Sequence, residues 1–462
     1  MRKIHKILAA GTILSSAASV ATADGQTVPD APPFSAQVAY ELVPGNSIWS
    51  YRAIDGYGEP AWVTAMVEAG KLPAVAERLP LEPLVFNSAD SVDGIGEYGG
   101  VLRHVIGGRP QGWNWNAGQT QGWGGITYTL SECLTRTGPL YRVTPENLEP
   151  LPNLATGWSW SDDGKQLTMS LIEGAKWSDG DPFDADDVMF LWEDNILDPN
   201  VAAGGGATQD TFGFGTTLEK VDAYTVKWTF EEAFPTQVLY EMGFGKMCPG
   251  PSHILKTAHP KYSEGSTYQE YVNAFPPEML NFPTMGSHAA TMYRPDDIVV
   301  LRRNPYYWKV DGEGNQLPYM DEMHFKLSDW GDRTVQAVAG SGDWSNLENP
   351  QNYVEALRQS AEEGAPASLQ FGARNIGYNI YLNYSDTTGW GEPDARALAV
   401  RELNRNLDFR LGVTKALDRL SIGQSLVKGP FAAIYPGGLL PASPFYDQDS
   451  TVYFEYNLDE SK

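Results

Sequence analysis

The chain has 462 residues, of which 42% are hydrophobic and 20% charged, as in a folded protein of roughly three units with ~100–200 residues each. Its 58 acidic and 33 basic residues give a net charge of −25, which excludes binding to a phosphate backbone. Outside the N-terminus no apolar run reaches the ~20 residues of a membrane span. Two cysteines, Cys133 and Cys248, are too few for a disulfide framework or a cysteine-rich zinc module.

The first 23 residues have the pattern of a secretory signal peptide. An uncharged stretch ends in Ala21-Thr22-Ala23 and follows three basic residues, Arg2, Lys3 and Lys6, so we expect cleavage before Asp24. No cysteine lies at the cut, which argues against a lipid anchor. The mature chain would carry 30 basic and 58 acidic residues, a net charge of −28. Export permits a Cys133–Cys248 disulfide, but the apolar setting of each cysteine favours two buried free thiols.

The next segment, residues 24–98, reads as an N-terminal extension rich in proline, alanine and glutamate, with one predicted helix near Ala61–Ala69. Gly99-Gly100 then opens a predicted strand, Val101–Ile106. A loop rich in tryptophan, asparagine, glycine and glutamine follows at Gln111–Gly125.

Further along, four segments are predicted strands, and in three of them apolar and polar residues alternate as in a half-buried strand. These strands are Leu167–Leu171, Val226–Phe230, Ile298–Leu301 and Ile376–Tyr384. Asp184 is a predicted N-cap for a helix whose apolar face holds Val188, Leu191, Trp192 and Ile196. A late helix carries an apolar stripe at Val413, Ala416, Leu417 and Leu420. Because helices and strands are interleaved, the fold class is α/β or α+β with several lobes.

The sequence contains partial matches to catalytic, cofactor and metal motifs, but none has the neighbouring residues or secondary structure that such a site requires. Gly94-x-Gly96-x-x-Gly99 has the spelling of a dinucleotide site, but a strand rather than a helix follows it. The acidic run Asp179–Asp187 is typical of a turn and a helix start. The stretch from Asp311 to Glu322 resembles a calcium loop, but Gln316 replaces the needed glycine. We therefore predict no catalytic residue, no metal site and no cofactor. A pair of carboxylates in a sugar-cleaving site stays open, because sequence cannot show their separation.

Tryptophans in the loop after Ile106 are the strongest ligand signal. Trp113, Trp115 and Trp123 lie among glycines and amides rather than in a periodic element, and Asn114 and Asn116 stand beside them. A flat apolar ring next to amide groups can hold a sugar ring or an extended peptide. The alternative is that these rings fill the joint between lobes.

Three sequence blocks resemble the family 5 extracellular solute-binding proteins, which serve ABC importers of peptides and related solutes. The first block runs from Pro152 to Val188 and contains the string Leu171-Ile172-Glu173-Gly174-Ala175-Lys176-Trp177-Ser178-Asp179-Gly180. The second joins Arg303-Asn304-Pro305-Tyr306-Tyr307-Trp308 to Leu317-Pro318-Tyr319. The third joins Phe409-Arg410 to Ala416-Leu417-Asp418-Arg419. The second block, with the lead-in Gly70-Lys71-Leu72-Pro73, is similar to a long-chain branch of that family.

The resemblance implies a two-jawed, periplasmic-binding-protein-like fold of the large three-lobed type. Lobe I would combine residues 99–130 and 234–328, lobe II would be the insert 131–233, and lobe III would begin at 329 and run to 462, incomplete. Ligand would be enclosed between lobes I and III by hinge closure. The expected ligand-binding residues are Trp113, Trp115, Asn116, Trp123, Tyr381 and Asn383.

The resemblance also implies a function and its partners. We expect a monomeric periplasmic protein, without enzymatic activity, that captures a peptide and delivers it to the permease subunits of an ABC transporter in the inner membrane. The alternative is an oligosaccharide-binding protein of the same importer type, and a more distant one is a secreted glycoside hydrolase. Relative to the family pattern, the sequence reads as truncated at its C-terminus.

Overall fold

A computed structural model describes residues 20–21, 27–28, 43–87, 94–122, 125–138, 149–202, 212–233, 237–344, 353–368, 381–384, 394–422, 425, 447, 449 and 454–462. Contacts between Cα atoms divide the chain into a larger unit, Tyr40–Asn346, and a smaller unit made of Met1–Ala39 and Leu347–Lys462. Within the described residues, no helix is long and apolar enough to cross a bilayer.

The strands are numbered β1 to β15 in chain order. They are Val20–Ala21, Thr27–Val28, Trp49–Tyr51, Leu84–Phe86, Val101–Ile106, Thr135–Arg136, Leu151–Pro152, Ala155–Trp160, Gln166–Leu171, Thr217–Asp222, Thr225–Thr229, His288–Arg294, Ile298–Arg303, Lys309–Asp311 and Glu322–Leu327.

The α-helices are numbered α1 to α14 in the same way. They are Gly45–Ile48, Ala61–Glu68, Val75–Arg78, Ile126–Leu130, Ala185–Phe190, Pro199–Ala202, Gln237–Glu241, Ser252–Leu255, Tyr268–Asn273, Trp330–Val338, Tyr353–Ser360, Ala395–Arg405, Leu407–Ala416 and Arg419–Ile422. Trp115–Ala117 form a 3-10 turn, and Leu191–Ile196 and Met242–Lys246 form π-helical turns.

Two four-stranded sheets organise the larger unit. The first, in the order β10-β11-β9-β8, is antiparallel throughout and packs Leu167, Met169 and Trp228 into one apolar core. The second, in the order β12-β13-β15-β5, is called here the mixed sheet, because β15 and β5 run parallel while its other pairs are antiparallel. A separate core, which includes Ile106 and Phe325, covers this sheet.

A third sheet ties the lead-in segment to the body of the larger unit. Its order is β14-β4-β3, so the chain around Val85 lies between two strands, one of them more than two hundred residues later in sequence. Val85 and Val310 are buried there, together with Leu79.

Several predicted elements are confirmed. Strand β5 has the predicted bounds, β9, β11 and β13 match their predicted segments within one or two residues, and α2 covers the predicted helix. Asp184 is the N-cap of α5, as predicted. The helix that it starts becomes π-helical at Leu191.

Three predictions need correction. Cys133 and Cys248 form a disulfide and are not free thiols. Of the predicted strand Ile376–Tyr384, residues 376–380 lie outside the described residues, and residues 381–384 have no strand structure. The late helix is two helices, because α13 ends at Ala416 and α14 begins at Arg419.

Candidate functional site

The carboxyl ends of β5 and β15 lie at one edge of the mixed sheet. The two strands pair in parallel from Val101 opposite Glu322 to Ile106 opposite Leu327, and the amide of Ser328 donates to the carbonyl of Ile106 at 2.9 Å. Open α/β sheets bind ligands outside the carboxyl ends of their parallel strands. The tryptophan-rich loop leaves β5 at this edge, so the edge and the loop form the candidate site of the larger unit.

Short hydrogen bonds fold this loop back on itself. The amide of Gln111 donates to the carbonyl of Thr120 at 2.7 Å, and the side chain of Gln121 donates to the carbonyl of Gly112 at 3.0 Å. Gly118 ends the 3-10 turn with a φ of 83°, a conformation that costs glycine little. The loop is therefore a fixed structure rather than a loose connection.

Trp113 and Asn116 are both buried. Trp113 is 1% exposed in the core beneath the mixed sheet, and its amide donates to the carbonyl of Phe275 at 2.8 Å. The side-chain amide of Asn116 donates to the carbonyl of Cys248 at 3.0 Å, and its oxygen accepts from the amide of Gly250 at 2.7 Å. In this conformation both side chains hold the loop in place.

Trp115 is half-buried, and its indole has one edge fixed. Its Nε1 donates to the carbonyl of Cys248 at 3.0 Å, and its ring meets Phe282 edge to face at 5.8 Å between centroids. Part of the residue stays accessible to solvent. Trp123, the remaining predicted residue of this loop, lies outside the described residues.

The disulfide anchors the segment that receives these hydrogen bonds. Cys248 bonds to Cys133, whose own carbonyl accepts from the amide of Leu154 at 3.2 Å and from Asn153 Nδ2 at 2.7 Å. The loop of the candidate site thus rests on a main chain that is covalently tied to the segment before β6. Sequence spacing carried no sign of this, because 115 residues separate the two cysteines.

Tyr381 and Asn383 belong to the smaller unit, where both side chains are exposed, Tyr381 to 86%. Helix α12 holds the backbone of Asn383 and of the next residue, Tyr384. Asn404 Nδ2 donates to the carbonyl of Asn383 at 2.7 Å, and Arg405 Nε donates to the carbonyl of Tyr384 at 2.8 Å. The segment therefore presents its side chains on an anchored main chain.

The acidic clusters serve local structure. Asp187 is buried in α5 and accepts from Trp177 Nε1 at 3.1 Å and from the amide of Ser252 at 3.0 Å, while burial raises the pKa of this carboxyl to about 6. Asp311 accepts from the amides of Glu313 and Asn315, both at 2.9 Å, so its oxygens are already engaged. Among the described residues, no group of three or more His, Cys, Asp or Glu side chains has the arrangement of a metal site.

Trp344 lies on the edge of the mixed sheet that β5 forms, and it carried no sequence signal. It pairs with His104, 240 residues earlier, so its position depends on a long-range contact that a local pattern cannot reveal.

Comparison with known proteins identifies relatives along the whole chain. Residues 149–462 match the family of bacterial extracellular solute-binding proteins, family 5, middle region. The chain is 60% identical, over 465 aligned residues, to a periplasmic alpha-galactoside-binding protein of Rhizobium meliloti strain 1021. The alignment covers 100% of this chain and 67% of that protein.

Solved structures give the same picture. The periplasmic binding protein MelB of Agrobacterium fabrum C58, in complex with stachyose, has a TM-score of 0.89 and 58% identity over 94% of this chain and 65% of its own. An oligopeptide-binding protein, OppA, has a TM-score of 0.58 and 26% identity over 89% of this chain and 63% of its own. The fold is therefore the α/β fold of these periplasmic binding proteins. The chain spans about two thirds of the length of each relative.

Proposed function

The chain belongs to family 5 of the bacterial extracellular solute-binding proteins, and we propose that it binds an α-galactoside oligosaccharide. The observation that carries this proposal is the 60% identity, along the entire chain, to an alpha-galactoside-binding protein. The similarity to MelB, which was solved with stachyose, supports the same class of ligand.

This proposal reverses the order of the two ligands expected from the sequence. The sequence predicts a peptide first and an oligosaccharide second, the latter because the long-chain branch resembles members that take sugars and the loop tryptophans suit ring stacking. The oligopeptide-binding relative OppA is only 26% identical, whereas the alpha-galactoside-binding protein is 60% identical and the stachyose-bound MelB is 58% identical. The oligosaccharide is therefore the better-supported ligand.

The chemistry of the candidate residues suits a neutral sugar. Trp115 offers part of an indole ring with its nitrogen already bonded, and Tyr381 offers an exposed phenol ring. Aromatic faces pack against the apolar C–H face of a pyranose, while amides and hydroxyls bond its oxygens. We propose Trp115, Tyr381 and Asn383 as direct contacts, with Trp113 and Asn116 supporting the loop from beneath. Trp123 stays a predicted contact.

The remaining roles follow from the family. We infer that the protein works in the periplasm, after removal of residues 1–23, and passes its ligand to an ABC permease without converting it. N-terminal sequencing of the exported protein should begin at Asp24. Stachyose incubated with the protein should be recovered intact by chromatography, whereas release of galactose would establish a glycoside hydrolase instead.

Calorimetric titration of the purified protein tests the ligand class. Stachyose should give binding heat in the titration. In a separate thermal unfolding measurement it should raise the melting temperature of the protein, because a ligand that binds only the folded state stabilises it. Maltotetraose, a saccharide of equal length without an α-galactosyl unit, is the matched control for linkage, and a neutral tetrapeptide is the control for class. Binding of the peptide but not of stachyose would contradict the proposal.

A further inference from the structure

Trp344 is an exposed aromatic ring on a fixed backbone. Of the tryptophans whose side chains the structure describes, it is the only exposed one, at 54%. Its main chain pairs with His104 on the free edge of β5, and the amide of Asp343 donates to the carbonyl of Arg103 at 2.8 Å. The ring is therefore carried by an extra strand-like segment of the mixed sheet and not by a loose loop.

Side-chain contacts lock this segment further. The Asp343 carboxylate accepts from the Arg103 amide at 2.6 Å and from its guanidinium Nε and Nη2 at 3.1 and 2.5 Å. The His104 ring lies 4.6 Å from the Trp344 ring, and His104 Nδ1 is 2.8 Å from the Trp344 carbonyl oxygen. His104 is buried and itself packs edge to face on Phe325. His104 thus covers one side of the indole, and the exposed surface of Trp344 lies away from His104.

The position of Trp344 connects it to the candidate site. The segment that carries it runs parallel to β5, as β15 does on the other side of that strand. The segment is therefore directed toward the edge of the mixed sheet at which β5 and β15 end, where the tryptophan-rich loop leaves Ile106. This is the edge at which open α/β sheets bind their ligands.

We propose that Trp344 is a stacking platform for one pyranose ring of the bound oligosaccharide. This inference rests on the proposed function and adds a specific contact to it. The apolar face of the sugar would lie on the exposed face of the indole, with His104 supporting the other face. The ion pair of Arg103 and Asp343 fixes the segment that carries the ring. Because the platform is already rigid, little conformational entropy would be lost on binding.

Substitution with a matched control tests the platform. Trp344→Ala should weaken stachyose binding by up to about 10-fold, which is the value of a lost aromatic contact, whereas Trp344→Phe should retain most of the affinity. Phe214→Ala removes a ring that is 73% exposed beside β10, on the other four-stranded sheet, and should leave the affinity unchanged. Melting temperatures of all three variants report whether folding is preserved.

A spectroscopic measurement gives a second readout. Stachyose should change the tryptophan fluorescence of the wild-type protein, and this change should be smaller in Trp344→Phe even where the variant still binds. The proposed stacking role of Trp344 would be overturned if the wild type and Trp344→Ala bound stachyose with equal affinity and if the fluorescence change in Trp344→Phe equalled that of the wild type. The assignment of an α-galactoside ligand would stay intact. If the wild type binds no oligosaccharide, the ligand assignment and the platform both fall.

Discussion

His253 shows how single side chains are tuned by their neighbours in this protein. Its Nε2 lies 2.9 Å from Asp179 Oδ2, and its Nδ1 lies 3.4 Å from Asp181 Oδ2. Burial opposes a charge on this ring, but the hydrogen bond to Asp179 and the charges of Asp179, Asp181 and Asp187 outweigh it. The net effect raises the pKa of His253. The carboxylates that the sequence predicts in a turn and a helix start thus also hold a histidine from a distant helix.

This arrangement predicts a pH-dependent contribution to stability. Because the folded state holds the proton more tightly than the unfolded state, the contribution is complete below the ordinary histidine pKa of 6.5 and is lost as pH rises through the raised value. His253→Gln should therefore differ most from the wild type near pH 6 and converge with it in mildly alkaline buffer, measured by urea unfolding. Asp179→Asn should remove most of the same pH dependence. A difference that grows with pH would contradict this account.

At the scale of elements, local sequence patterns predict a strand or helix correctly where its structure depends on its own residues. The alternation of Leu167, Met169 and Leu171 predicts a strand with one buried face, and the structure buries all three. Asp184 was identifiable because a side chain that accepts from the first free amides of a helix must stand at its start. The π-helical turn after Phe190 and the pairing of β4 with β14 depend on tertiary contacts, and local sequence carries no sign of them.

The disulfide joins elements that sequence leaves apart, and it should add measurable stability. Closing 115 residues between Cys133 and Cys248 restricts the unfolded chain, by up to about 4.7 kcal/mol in the loop-entropy estimate. The double substitution Cys133→Ser and Cys248→Ser should lower the free energy of unfolding by several kcal/mol in denaturant titrations. A reducing agent should destabilise the wild type and leave the double variant unaffected. Equal stabilities with and without the reducing agent would show that the bond contributes nothing.

For the whole molecule, the fold class and the family were predictable, but the geometry of the site was not. The tryptophan-rich loop was identified from composition alone. Which of its rings face solvent depends on the carbonyl of Cys248 and on Phe275, both far along the chain. Trp344 illustrates the same limit, because its exposure at the sheet edge follows from pairing with β5. Periodicity predicts which face of an element is buried, but it does not predict what another element leaves uncovered.

Net charge gives a prediction at this scale. With a charge of −25, the protein would attract cationic ligands, and that attraction would weaken in salt. A neutral oligosaccharide is not attracted by the net charge of the protein. Its dissociation constant should therefore change by less than about 2-fold between low salt and roughly 0.5 M salt, where charges are screened within a few ångströms. A cationic tripeptide is the comparison ligand. A steep salt dependence for stachyose would contradict binding through ring faces and neutral hydrogen bonds.

The sheet of β3, β4 and β14 changes how the protein should be shortened for experiments. The sequence alone predicts an N-terminal extension at residues 24–98, yet Leu84–Phe86 forms the middle strand of that sheet and pairs with Lys309–Asp311. A protein starting at residue 99 would lack β4, the strand that pairs with β14, and would open Val310 to water. Loss of saccharide capture by such a protein would then report a damaged scaffold rather than a missing contact.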